Sequence, residues 1–372
     1  MTAFVPGLEL NRQFFAEIIR PLLAARFPSV AYSAGLVGYG SDVLGYDTAI
    51  STDHEWGPRL LLFFGEQQYS TLHQVMSDAF RHELPVMFRG YSTNFSAPDT
   101  SDAGVRRMEP GTEGQISHHI TLITPEDFLE SELGVRSADT LTTRDWLTFP
   151  DQKLLEVTAG AVYYDGLGRL EPLRQRLEYY PDDVWLYRLA SQWQRISQEE
   201  AFVGRCADVG DNIGSRLVAA RLVREVMRLC FLLERRYAPY SKWFGSAFAR
   251  LPCAEQLAPL LAATLSADTL EEREHSLAAA YETVAQMQNA LAVAKPQDSA
   301  PRSYHGRPYR VIHAERFAHA LAAAIQDEEL RRIIEDVGLV GAVDQFVDST
   351  DVLSHAGRCR RLGNFLGEGK RL

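Results

Sequence analysis

Residues 35–59 read GLVGYGSDVLGYDTAISTDHEWGPR. A short β-rich run enters a turn of Gly38, Tyr39, Gly40 and Ser41, and a turn or short helical segment leads on to Asp53, His54 and Glu55. A Gly-Ser turn aims backbone N–H groups and a hydroxyl at an anion. In an extended segment, Asp53 and Glu55 leave the chain on the same face, a few ångströms apart. Two carboxylates that close repel unless a cation lies between them, and a hard divalent cation with oxygen ligands suits that place. A phosphate cradle beside an acidic metal clamp is what nucleoside-triphosphate chemistry requires, with Mg²⁺ neutralising charge on the phosphates. The alternative for Asp53 and Glu55 is a solvated acidic loop; the preceding Gly-Ser turn favours the site. Asp42 and Asp47 read as turn and cap residues, and His54, facing away from the acids, as a packing residue. The stretch carries neither a Rossmann fingerprint nor the Gly-Lys-Ser/Thr of a P-loop.

Working outward, 59–64 (RLLLFF) is a continuous apolar run of strand length, hence a buried strand. Upstream, 8–27 sets Leu10, Phe14, Ile18, Leu22 and Leu23 near helical spacing. Downstream, 67–82 reads as helix, 86–91 as strand and 94–114, rich in Ser, Asp, Gly and Pro, as a long loop. Residues 115–123 (QISHHITLI) alternate as a strand, with His118 on the apolar face and His119 on the polar one. Of these two histidines, one is expected in the core and one at the surface. Thr124 and Pro125 open a helix as N-cap and first helical residue. From about Asp151 the strand signals stop. Trp185, Leu189, Trp193 and Ile196 share one helical face, 197–200 and 269–272 both have capping-box form, and helices follow to the end, broken at 295–308. The fold class is therefore α/β (α+β): an N-terminal domain with a mixed sheet, 1–165, followed by an all-helical C-terminal domain, 166–372.

The 372 residues carry a net charge of −11, which argues against a partner such as extended nucleic acid but allows one nucleotide in one pocket. No apolar run approaches the ~18 residues of a membrane span, and the N-terminus lacks a signal pattern. The four cysteines lie far apart without Cys-x-x-Cys, as in a reduced chain with no structural zinc. A cytoplasmic protein with no membrane partner is expected. All but four of the 38 basic residues are arginine, which singles out Lys153, Lys242, Lys295 and Lys370.

Gly-Ser, a spacer and then Asp-x-Glu resembles the signature of the nucleotidyltransferase (polymerase β-like) superfamily. The strings GSDVLGYD and DHEWGPRLLLFF, with FPDQKLLEVTAGAVYYDGLG and RRYAPYSKW downstream, resemble a bacterial family of that superfamily whose domain has no assigned function. The resemblance spans 14–248, with a weaker echo at 343–353. It implies a nucleotidyltransferase-like α/β domain and a helical domain that closes the cleft. By it, Ser41 and the Gly40 backbone hold the β- and γ-phosphates of ATP or another NTP, and Asp53 and Glu55 bind Mg²⁺. The superfamily adds a third carboxylate on a neighbouring strand, which positions the metal and acts as base. Strand 115–123 contains no acid; Glu113 just before it is taken as the substitute, with Glu156 and Asp165 as alternatives. Related helical domains supply Lys and Ser or Tyr to the triphosphate, which carries over to Ser241 and Lys242, beside Tyr240 and Trp243.

The implied reaction is Mg²⁺-dependent transfer of a nucleoside monophosphate to a small-molecule or protein acceptor. One rival is a catalytically reduced nucleotide-binding regulatory module, motivated by the missing third acid. Another is a member of a toxin–antitoxin pair, since Arg307 and His313 fit the loose Arg-to-His spacing of helical ribonuclease toxins. Arg221, Arg224, Arg228 and Arg235 recur at helical spacing, expected as a stripe paired with acids rather than a basic face over a triphosphate.

Overall fold

The computed structural model describes residues 4–101 and 104–367. Strands β1 (Ser33–Leu36) and β2 (Arg59–Phe63) come first, and β3 (Met87–Phe88) and β4 (Tyr91–Ser92) form a small hairpin. With β5 (His119–Ile123) and β6 (Ala161–Asp165), β1 and β2 complete a four-stranded sheet in the order β5-β2-β1-β6. β1 is antiparallel to β2 and β6, whereas β2 and β5 are parallel, with Arg59 opposite His119. That topology decides where chemistry can gather. The end of β1, the start of β2 and the start of β5 lie at one end of the sheet, so the turn after β1 and the segment before β2 become neighbours.

β2 is buried along most of its length, as its apolar run requires. Leu10, Phe14 and Ile19 pack in one core with Leu60, Leu62, Phe80 and Ile120. They come from the helical run Gly7–Phe14, Phe15–Ile19 and Arg20–Arg26, whose middle is π-helical. Pro21 follows that π turn; it has no N–H to donate to the turn before it, and its ring crowds that turn's carbonyls. Buried Asn11 ties this helix to the start of β2: its amide donates to the Gly7 and Gly57 carbonyls, and its Oδ1 accepts the Arg59 N–H at 2.7 Å. The long loop is ordered by bridges between Phe95 and Met108, and between Asp99 and Val105.

Contacts divide the chain into two compact units. The first runs to Thr140 and takes in Lys153–Glu178; the second comprises Leu141–Gln152 and the described residues from Tyr179 on. The sequence boundary at 165 falls inside the first unit. The second unit is mainly helical, built on Asp182–Glu199, Asn212–Leu233 and Leu270–Ala290. Trp193 stacks on Phe317 at 4.4 Å and donates to Gln288 Oε1 at 3.1 Å.

The order of an α/β region followed by helices is as expected, and so are the Thr124 cap and the Thr269 capping box. Four local readings change. Residues 86–91 are no single strand: Arg89 and Gly90, both with positive φ, turn the chain between β3 and β4. Strands do not stop at Asp151, because β6 completes the sheet; it is half-buried at an edge and gives no apolar run. The segment 295–308 leads into a hairpin of β7 (Arg302–Tyr304) and β8 (Arg307–Val311), so the C-terminal part is not purely helical. Ser197 caps nothing; it lies inside Asp182–Glu199, its hydroxyl donating to the Gln194 carbonyl. No described helix is long and apolar enough to cross a membrane.

Candidate functional site

The turn after β1 is built from two glycines in conformations that other residues avoid. Gly38 has φ +91° and Gly40 φ +136°. At Gly40 a Cβ would collide with Asp42 Oδ1 and the Arg59 guanidinium. The Gly38 N–H is taken by the Glu156 carbonyl at 2.7 Å. The N–H groups of Tyr39, Gly40, Ser41 and Asp42, and the Ser41 hydroxyl, donate to no protein group among the described residues. Successive N–H groups at such a turn form an anion-binding concavity.

Beneath the turn, Asp42 and Arg59 form a buried ion pair at 2.7 Å, their side chains 1% and 5% exposed. Arg59 also donates to the Tyr39 carbonyl at 3.0 Å, and its guanidinium lies 5.6 Å from the Tyr39 ring centre. Asp42 is thus no simple turn residue, and its Oδ2 is buried without a partner. Asp47 does act as a cap: its carboxylate accepts the Gly7 N–H at the start of Gly7–Phe14, and the Trp56 indole.

The two acids differ from the expected extended pair. Asp53 ends the 3₁₀ helix Ala49–Asp53 and is exposed; Glu55 is in the left-handed region, φ +47°, and only 11% exposed. Turn geometry replaces the strand alternation that would have put both on one face, because β2 begins only at Arg59. His54 does not pack in the core; it is half-exposed, with Nδ1 2.9 Å from Asp53 Oδ1.

Glu55 is held firmly. Oε2 accepts the Tyr39 hydroxyl at 2.9 Å, Oε1 accepts the Arg106 N–H at 2.6 Å, and the Glu55 N–H donates to the Arg106 carbonyl. The Arg106 guanidinium turns away, to the carbonyls of Ser96, Ser117 and His118. His119 Nε2 lies 3.6 Å from Glu55 Oε2, but burial, with Arg59 and Arg106 nearby, pushes its pKa down to about 3 and keeps it neutral. No Lys or Arg among the described residues forms a salt bridge with Glu55. Burial, with the Glu55 carboxylate, pushes the Tyr39 phenol up to about 12.

Behind the turn, Lys153 reaches Glu132 at 2.9 Å and Glu156 at 2.6 Å, all three largely buried. Burial raises Glu132 to about 7 against the pull of Lys153. Glu156 therefore has a lysine partner. Asp165 accepts from Ser33 and from the N–H groups of Arg169, Leu170 and Glu171, and so works as a cap. Glu113 stands exposed in the turn bridged by Thr112 and Gln115, and it joins no metal-holding group with Asp53 and Glu55. Among the described residues, no group of three or more His, Cys, Asp or Glu is placed for a metal ion.

The expected core-and-surface split of the adjacent histidines fails. His118 is also largely enclosed, contacting Ser77, and burial lowers it to about 4. Ser241 and Lys242 open Ser241–Phe248 in the second unit, with Lys242 Nζ 5.1 Å from the Trp243 ring centre. Three arginines of the stripe meet acids as expected, Arg221 with Glu199, Arg224 with Asp348 and Arg235 with Asp182, whereas Arg228 donates to the Asp344 backbone carbonyl; Arg235 lies past the end of the helix Asn212–Leu233. Arg307 lies on a strand and His313 follows it at φ +55°, so neither residue sits on a helix.

Sequence reasoning missed Tyr39, Arg59, Arg106 and Glu132. Tyr39 alone had a signal, its place between two glycines.

Residues 146–244 match the model of a domain of unknown function, DUF4037. That match lies outside the turn and the two acids. A nucleotidyltransferase-like protein from Exiguobacterium sibiricum 255-15 is similar in structure at 13% identity and a TM-score of 0.33. The likeness covers 79% of this chain and 82% of that one, and it is too low to bear on this chain's chemistry. No curated protein matches the chain.

Proposed function

We propose that the first unit binds a nucleoside triphosphate, ATP or another NTP, and transfers its nucleoside monophosphate to an acceptor hydroxyl of a small molecule or protein. The observation that carries this reading is the 38–41 turn, with N–H groups of Tyr39, Gly40 and Ser41 and the Ser41 hydroxyl unbonded among the described residues, hydrogen-bonded through Tyr39 to a carboxylate that forms no salt bridge with a described Lys or Arg side chain. Gly40 and Ser41 would take phosphate oxygens. The donor set suits Mg²⁺, since Glu55 is a carboxylate held by neutral donors and Asp53 is a second, exposed one. These acids would supply at most two ligands, so Mg²⁺ would take the rest from phosphates and water. Bound there, Mg²⁺ would offset charge building on the phosphates. In the transfer, the acceptor hydroxyl oxygen bonds to the α-phosphorus and gives up its proton to solvent water, as the bond to the α,β-bridging oxygen breaks and pyrophosphate leaves.

The test is calorimetric titration of the full chain with α,β-methylene ATP and Mg²⁺. Cation-dependent binding that Asp53→Asn with Glu55→Gln abolishes supports the site; unchanged binding in the double variant overturns it. Pyrophosphate release from ATP with a cell extract as acceptor source then separates transfer from binding alone.

A further inference from the structure

The 38–41 turn rests on a buried charged cluster that the proposed reaction does not use. The helix Asp151–Thr158 leaves its last carbonyls without helical partners, and one of them, that of Glu156, takes the Gly38 N–H at 2.7 Å. On another side, a Cβ at Gly38 would stand 3.9 Å from the ring of Phe128, which belongs to the helix Pro125–Leu133. Two helices therefore flank the start of the turn, and Lys153 ties them together. Its Nζ donates to Glu132 Oε2 on Pro125–Leu133 at 2.9 Å and to Glu156 Oε2, one turn along its own helix, at 2.6 Å. All three side chains are largely buried. The charged groups acting on Glu132 are Lys153 and Glu156. Its own field reaches the turn, where it adds to burial and Glu55 in raising the Tyr39 phenol.

We propose that Lys153 and Glu132 are positioning residues that set the affinity of the turn for phosphate: Lys153 fixes the two flanking helices and offsets their carboxylates, while Glu132 adds a negative charge that holds the affinity down. The inference rests on the function proposed above and adds to it a control on how tightly the triphosphate is held. Two carboxylates and one ammonium sum to one negative charge when all are ionised. A buried charge is poorly screened by salt, so it acts on an anion bound at the turn. Two substitutions then have opposite effects. Glu132→Gln keeps an oxygen that can accept from Lys153 but removes a negative charge, and so favours the anion. Lys153→Met keeps the apolar stem but removes the positive charge, and so disfavours it. A cluster that served only as a brace would behave differently, since either substitution would loosen the turn and weaken binding.

The measurement is calorimetric titration of the full chain with inorganic triphosphate, in the presence of a chelator, at pH 8 and pH 5.5. At pH 8, Glu132→Gln should bind about three- to tenfold more tightly than the natural chain, and Lys153→Met about three- to tenfold more weakly. At pH 5.5 Glu132 itself carries a proton, since burial raises it to about 7, and Glu132→Gln should no longer differ from the natural chain. Circular dichroism checks that each variant is folded. Should Lys153→Met fail to fold, the sign and the pH dependence of Glu132→Gln decide alone. Equal or weaker binding by Glu132→Gln at pH 8, the same gain at both pH values, or equal or tighter binding by a folded Lys153→Met overturns this inference and leaves the proposed function standing. No binding of triphosphate by the natural chain overturns both.

Discussion

The Asp42 carboxylate and the Arg59 guanidinium meet at 2.7 Å under the glycine turn, both almost wholly buried. One residue follows the turn and the other begins β2, so the pair fixes the cradle to the sheet. Removing one partner of a buried pair strands the other charge. Asp42→Ala is expected to lower stability by about 3–5 kcal/mol, read from urea unfolding of the full chain. A loss under about 1 kcal/mol, the range of a surface pair, would show that the pair is not structural.

Gly40→Ala tests the turn itself. The new methyl would strike Asp42 Oδ1 and Arg59, at a φ of +136° that side chains rarely adopt. The strain is worth about 1–3 kcal/mol, and nucleotide affinity should fall with it. Gly45→Ala is the control, since its added carbon meets nothing within 4 Å although its φ of +68° is also positive. A similar loss of nucleotide affinity in both variants would argue against a specific cradle.

In the second unit, Arg188 lies between Asp151 and Asp344, donating to each at 3.0 Å, with the Tyr180 hydroxyl also on Asp151. Burial raises Asp151 to about 6 despite Arg188, whereas Arg188 and Arg228 hold Asp344 low. Arg188→Ala leaves two carboxylates facing each other in the core. Thermal unfolding should report a loss of about 3–5 kcal/mol, and a smaller one at pH 5, where Asp151 can take a proton. The same loss at pH 5 and pH 8 would contradict that account.

Glu132 gives a pH dependence with a definite sign. Its pKa rises from 4.5 to about 7 on folding, because burial outweighs Lys153. The folded chain then binds the proton more tightly than the unfolded one between these values. Its contribution is fully present below pH 4.5 and is lost as pH rises through 7. Glu132→Gln removes that loss, so its stability relative to the natural chain should improve by about 1–3 kcal/mol from pH 4.5 to pH 8. Parallel stability curves would rule it out.

Much of the frame was legible. Apolar runs and spacings located β2, β5 and most helices, since burial on one face writes its period into the sequence. Edge strands such as β6 are half-exposed and leave a weaker period, and two-residue strands leave none. The arginine stripe was also readable, because residues at helical spacing share a face whatever they pack against.

The sequence by itself determined the local conformations: a turn that only glycines fit, a capped helix after β5, a buried strand after the two acids. The tertiary structure decided who meets whom. The parallel pairing of β2 with β5 brought His119 beside Glu55, and the order β2-β1 brought Tyr39 to the same carboxylate. Arg106 reached Glu55 from a loop some fifty residues away, by backbone hydrogen bonds. Any residue with an N–H can make such a bond, so side-chain identity carries no record of it. Asp42 and Arg59 were visible only as a turn acid and a basic residue before an apolar run. Their burial depends on what covers them, a property of the folded packing rather than of the neighbouring sequence.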